Sequence, residues 1–184
     1  MAPARRLRLA ILDRDGVINH DSDAYIKSPD EWVPIDGSLE AIARLQQAGV
    51  RVAVATNQAG VARGKFDLAT LMAIHARMHE AADDAGGRID AVFFCPHHPD
   101  ARCGCRKPAP GLVLEALARF ETDPADAVVI GDSLRDLQAA QAAGVAARLV
   151  RSGNGTALVS TGGVPDGVPV DDDLAAAVDA LLGG

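Results

Sequence analysis

The chain has 184 residues, of which 48% are hydrophobic and only 3% aromatic, and it carries a formal charge of −7. That length builds one well-buried domain, read here as 1–184, and is short for two. The acidic balance, with no basic stripe to offset it, excludes nucleic acid as the principal partner. No stretch approaches the roughly 18–20 apolar residues that cross a bilayer, so no membrane association is expected. The basic run Met1–Arg8 leads directly into a strand without a cleavable signal pattern. A cytoplasmic protein handling small molecules is the expectation, monomeric because the sequence shows no exposed apolar stripe.

Leu7–Leu12 is short and aliphatic and ends at a glycine-containing turn, as a buried strand does. An irregular stretch from His20 to Asp36 follows, holding Pro29, Pro34 and the only tryptophan. Ser38 reads as the cap of a helix that runs to about Ala48 and closes at Gly49. Arg51–Thr56 is a second strand, Asp67 caps a long helix to about Ala85, and Asp90–Cys95 is a third strand. Pro110 opens a helix to about Phe120, Ala127–Ile130 is a fourth strand, Ser133 starts a helix stopped by Gly144, and Ala147–Val150 is a fifth strand. The Gly/Ser/Thr-rich stretch 152–170 reads as a mobile loop. The last helix spans Asp172–Leu182, with Asp171, Asp172 and Asp173 at its start, where acids complement the helix dipole.

Strands alternating with amphipathic helices imply right-handed βαβ units and one doubly wound parallel sheet covered on both faces, a three-layer α/β/α fold of the Rossmann-like type. Neither the 18 residues from His20 to Gly37 nor the span from Thr56 to Lys107 leaves room for a separate cap domain.

Ligands of open α/β sheets bind beyond the carboxyl ends of the strands, and polar clusters gather there. Asp13-Arg14-Asp15-Gly16 follows the first strand. Two carboxylates one residue apart form a hard oxygen site suited to Mg²⁺. One of them can attack phosphorus while the other moves a proton. Alone, this motif equally describes a strand-end turn with solvated acids. Thr56-Asn57-Gln58, Arg106-Lys107-Pro108 and Gly131-Asp132-Ser133-Leu134-Arg135-Asp136 join it at the same edge, and four such clusters argue for a site.

A second signal is the run from Cys95 to Cys105, which holds all three cysteines together with His97 and His98. Three thiolates and one imidazole, from either histidine, make a closed tetrahedral Zn²⁺ shell. With no open ligand position such a zinc is structural, and it stiffens the loop that delivers Arg106 and Lys107. His75 and His79, four apart and without the glutamate of H-E-x-x-H, read as a solvated pair.

Taken together, Asp13-Arg14-Asp15-Gly16-Val17, Thr56, Lys107 and Gly131-Asp132 through Asp136 resemble the four signatures of the haloacid-dehalogenase-like phosphatases over residues 7 to 150. The resemblance implies a phosphohydrolase working through an aspartyl-phosphate. Asp13 is then the nucleophile and Asp15 the acid and base. Thr56 and Lys107 hold the transferring phosphoryl group. Asp13, Asp15 (by its carbonyl) and Asp132 hold Mg²⁺, with Asp136 reached through water. The family pattern selects His97, beside Cys95, Cys103 and Cys105, for zinc.

Within that family the zinc loop resembles the phosphatases of heptose 1,7-bisphosphate and those of histidinol phosphate. Asn57-Gln58-Ala59-Gly60-Val61-Ala62-Arg63-Gly64-Lys65-Phe66 matches the N-Q-S-G-x-A-R-G-x-F pattern of the heptose branch, with Ala59 in place of serine. A sugar bisphosphate on the route to nucleotide-activated heptose for lipopolysaccharide is thus the implied substrate. Arg14, Asn57, Gln58, Arg63 and Arg106 are its expected contacts, and Asp21, Ser22, Asp23 and Tyr25 lie near the sugar. A histidinol-phosphate phosphatase is the rival. A zinc-stabilised binding module on a retired scaffold is the non-enzymatic alternative, against which the intact Asp13, Asp15, Lys107 and Asp132 argue.

Overall fold

The computed structural model describes residues 6–183; Met1–Arg5 of the expected basic run, and Gly184, lie outside them. Strands β1 (Leu9–Leu12), β2 (Arg51–Asn57), β3 (Ala91–Cys95), β4 (Ala127–Gly131), β5 (Ala146–Val150) and β6 (Val170–Asp171) form one sheet in the order β3-β2-β1-β4-β5-β6. All pairings are parallel. Helices α1 (Ser38–Gln47), α2 (Leu68–Asp84), α3 (Gly111–Arg119), α4 (Leu134–Ala142), α5 (Gly155–Ser160) and α6 (Leu174–Leu182) connect them. β1 is buried along its whole length, because successive side chains point to opposite faces and both faces are covered. Ala10, Leu12, Val52, Val54, Val128 and Ile130 pack against α1, α2 and α6, and Leu9, Ile11, Ala53, Ala55 and Val129 against α3 and α4.

β1 lies between β2 and β4, so the sheet order reverses there, and a crevice opens above the strand ends. The segment between β1 and α1 contains a single 3-10 turn, Pro29–Glu31, and is anchored by the buried Trp32 and Ile26. No helix of the described residues is long and apolar enough to cross a membrane.

Asp67 caps α2 through Thr70 N (2.7 Å), and Ser133 forms a capping box with Asp136 at the start of α4. Four expectations need correction. Ser38 is not a cap: Gly37, at φ 81°, takes that position, and the Ser38 hydroxyl instead donates to Ile18 O at 2.7 Å. The stretch 152–170 is not a plain loop, since it holds α5 and leads into β6. α5 starts at Gly155, where the main chain passes so close to Val150 O that there is no room for a Cβ. Of the three terminal aspartates only Asp173 caps α6, through Ala176 N at 2.8 Å, while Asp171 lies in β6 and accepts two 2.7 Å bonds from Arg148.

His75, finally, is not solvated. It is 4% exposed, edge-on to Phe94 with centroids 5.9 Å apart, and its Nε2 has no partner. Burial, then the charge of Arg14, pushes its pKa down to about 3 from 6.5. The folded imidazole thus stays neutral while the unfolded one takes up a proton below pH 6.5, so stability is lost as pH falls from there towards 3. His75→Phe removes this term. Its urea-unfolding free energy should gain on the wild type as pH is lowered from 7 to 4, by up to about 1.4 kcal/mol per pH unit. Parallel pH curves for the two proteins would contradict the buried neutral assignment.

Candidate active site

Asp13 follows β1 and continues its pairing, with its N–H donating to Ile130 O at 3.0 Å. Its Oδ1 accepts from Arg14 N at 2.7 Å and pairs with Lys107 Nζ at 3.0 Å. The Lys107 ammonium also meets Asp136 Oδ1 at 2.6 Å and donates to Ala55 O at 2.6 Å. Burial alone would lower the Lys107 pKa, but Asp13 and Asp136 together outweigh it and hold the group charged. Asn57 sets the lysine in place with a reciprocal pair, donating to Lys107 O and accepting from Lys107 N, both at 3.0 Å.

Asp15 is held by five side-chain hydrogen bonds. Arg14 supplies three (2.9–3.1 Å), Asn19 Nδ2 one at 2.9 Å and Gln58 Nε2 one at 2.9 Å. Gln58 also donates to the Thr56 hydroxyl at 2.9 Å. Gly16, at φ 83°, lets the chain turn directly beneath Asp132, where a Cβ would stand 2.2 Å from Asp132 Oδ2. Carboxylate oxygens of Asp13, Asp132 and Asp136 lie within 4.8 Å of one another. Burial, reinforced by the neighbouring carboxylates, raises Asp13 well above the ordinary range and Asp132 to about 6. One ammonium among these acids leaves negative charge uncompensated, and an oxygen-rich cluster with that surplus is a fitting seat for a small divalent cation.

These groups line a cavity of about 250 Å³ together with Asp21, Ser22, Asp23, Tyr25, Arg63 and Arg106. Arg14, expected to touch substrate, does not line it. Its side chain is wholly buried and its guanidinium grips Asp15 from below. Asn57 and Gln58 do line it, but their amides are engaged by Lys107, Asp15 and Thr56. Six lining residues were not among the expected site residues: Ile26, Ala59, Pro99, Ser133, Arg135 and Asn154. Arg135 sits openly inside the Gly131–Asp136 motif, and its position between two site acids was the signal. Asn154 donates to Asp132 from a stretch the sequence left without structure.

Cys95, at the end of β3, gathers the second cluster. Its Sγ lies 3.5 Å from both His97 Nδ1 and Cys103 Sγ, and Cys105 Sγ is 3.3 Å from His97 Nδ1 and 3.5 Å from Cys103 Sγ. All three thiols are free, and four donors this close fit the shell of a tetrahedral metal. His98 turns away and accepts from Asp100 N.

Arg14→Met tests the grip on Asp15. Deleting the buried guanidinium takes from the Asp15 carboxylate three of its five hydrogen bonds and leaves those from Asn19 and Gln58, so urea unfolding should show a loss of about 1.5 kcal/mol or more. A loss under about 1 kcal/mol, as for exposed pairs, would count against it.

Comparison with known proteins agrees with this geometry. Residues 4–144 match the family model of haloacid dehalogenase-like hydrolases. The chain is 56% identical to the D-glycero-beta-D-manno-heptose-1,7-bisphosphate 7-phosphatase of Bordetella bronchiseptica, across 96% of this chain and 98% of that protein. It is 51% identical to the protein of that name from Pseudomonas aeruginosa, across 95% and 97%. The crystal structure of the B. bronchiseptica D,D-heptose 1,7-bisphosphate phosphatase, complexed with magnesium and phosphate, superposes with a TM-score of 0.93 at 55% identity, covering 96% of this chain and 99% of that one. The chain therefore belongs to the haloacid dehalogenase-like hydrolases.

Proposed function

We propose that the protein is a Mg²⁺-dependent phosphatase that removes the 7-phosphate of D-glycero-β-D-manno-heptose 1,7-bisphosphate, supplying nucleotide-activated heptose. The observation that carries this reading is one cavity in which Asp13 lies beside a buried ammonium and a separately clamped Asp15. The near-full-length likeness to the heptose phosphatases supports the substrate.

Phosphoryl transfer asks for an in-line nucleophile and for positive charge at the equatorial oxygens. Asp13 attacks the 7-phosphorus; the Asp13 oxygen–phosphorus bond forms as the bond to the sugar oxygen breaks. Asp15 gives that leaving oxygen its proton. It then takes a proton from the water that attacks the acyl phosphate, which frees Asp13 and releases phosphate. The five hydrogen bonds on Asp15 keep it aimed through both half-reactions. Lys107 and the Thr56 hydroxyl hold the phosphoryl oxygens. Magnesium, held by Asp13, Asp132 and the Asp15 carbonyl with Asp136 behind a water, supplies charge neutralisation. Zinc would be held by Cys95, His97, Cys103 and Cys105, and with all four positions filled it would serve structurally. Arg63, Arg106 and Arg135 rim the cavity and suit the second phosphate, and Asp21, Ser22, Asp23 and Tyr25 suit the sugar hydroxyls.

Three arginines at the rim favour a bisphosphate over a one-phosphate ester. The purified protein should show a kcat/KM for the heptose bisphosphate at least about 100-fold above that for histidinol phosphate, a gap that unpaired polar groups at the second-phosphate site readily produce; the reverse order would overturn the substrate. Asp13→Asn should lose at least about 1,000-fold in kcat with an unchanged circular-dichroism spectrum. Elemental analysis should find near-stoichiometric zinc in the wild type and little in Cys103→Ser, whose Tm falls; a zinc-free wild type would remove the metal from the account.

A further inference from the structure

Asn154 bonds one oxygen of Asp132 twice. Its main-chain N–H and its side-chain Nδ2 both donate to Oδ2, at 2.8 and 3.0 Å. Nδ2 also reaches Asp21 Oδ2 at 3.4 Å, and an amide placed between two carboxylates presents its NH₂ end. The same oxygen is walled by main chain, because a Cβ on either Gly16 or Gly153 would come within 2.2 Å of it. Ser152 Oγ donates to Gly16 O at 2.8 Å and ties the two walls together. Asp132 is itself 2% exposed. Its carboxylate is therefore locked in rotation, with Oδ2 occupied by protein donors and Oδ1 free of them.

Rotation matters because the alkaline-earth ions differ in what they ask of a carboxylate. Calcium takes six to eight oxygens and readily accepts both oxygens of one carboxylate, whereas magnesium demands octahedral geometry at shorter range. From this arrangement we infer that Asn154 is a positioning residue that restricts Asp132 to one-oxygen ligation, so that the site selects magnesium over calcium. The inference rests on the reading of the aspartate cluster as the magnesium site.

The test is calorimetric titration of the full chain, dialysed free of alkaline-earth ions, with magnesium chloride and with calcium chloride in separate runs. The wild type should bind magnesium more tightly than calcium. In Asn154→Ala, and in Asn154→Ser should the alanine variant fold poorly, the ratio of calcium to magnesium Kd should fall roughly tenfold, in the range by which partners behind a ligand tune metal sites. A ratio unchanged from the wild type, or a parallel loss of both ions, would overturn the role of Asn154 and leave the magnesium site standing. Equal affinity of the wild type for both ions would likewise overturn it. A wild type that binds neither ion would remove the magnesium reading itself, and the inference with it.

Discussion

A buried ammonium organises the active end of this fold. Lys107 Nζ sits out of water between Asp13 and Asp136, with Ala55 O as its third partner. Carrying a charge into that position is unfavourable unless it is met by opposite charge, and the two carboxylates are unfavourable there without it. Each element that supplies one of these groups is thereby bound to the others. β1 brings Asp13, β2 brings the Ala55 carbonyl and α4 brings Asp136. The lysine arrives on neither a strand nor a helix. It comes from the end of the Cys95–Cys105 loop, and its main chain is clasped by Asn57 at the end of β2. A loop of prolines, glycine and thiols has little apolar content to bury, and the four donors Cys95, His97, Cys103 and Cys105 gather within it just ahead of Lys107.

The same logic separates the two aspartates of the Asp13–Asp15 pair. Burial, with the neighbouring acids behind it, raises the Asp13 pKa against the opposing pull of Lys107, and this suits the group to neutralisation by a further cation. Asp15 lies apart, held by Arg14, Asn19 and Gln58. One residue of sequence separation therefore gives two environments, because the chain leaves the sheet between them: Asp13 still pairs with Ile130 O, whereas Asp15 bridges to Asn19.

Much of this was legible in the sequence. The aliphatic runs of β1, β4 and the middle of β2 stand out because a strand covered on both faces has nowhere to place a polar residue. Asp13 and Asp132 were legible because each immediately follows such a run, with Asp15 and Asp136 close behind, and the strand order carries the strand ends to one crevice. What escaped was set by contacts distant in sequence. Arg14 reads as a substrate ligand, since charge at a strand end is usually exposed, yet its guanidinium is buried and turned onto Asp15 through Nε and Nη2. Ser38 is the residue type of a cap, but Ile18 O claims its hydroxyl. The glycines of 152–155 read as flexibility, whereas they mark close approach to Val150 and Asp132, and with them Asn154 went unseen. His75 has the spacing of a solvated pair and is buried against Phe94.

The proposed reaction passes through a covalent bond to Asp13, which can be looked for directly. Mixing the enzyme with heptose 1,7-bisphosphate, quenching in acid within a turnover and mapping the peptides by mass spectrometry should find one phosphoryl group on the segment containing Asp13, removed by mild base as an acyl phosphate is. Turnover with no phosphorylated aspartate at any quench time, or with the phosphoryl group on another residue, would contradict it.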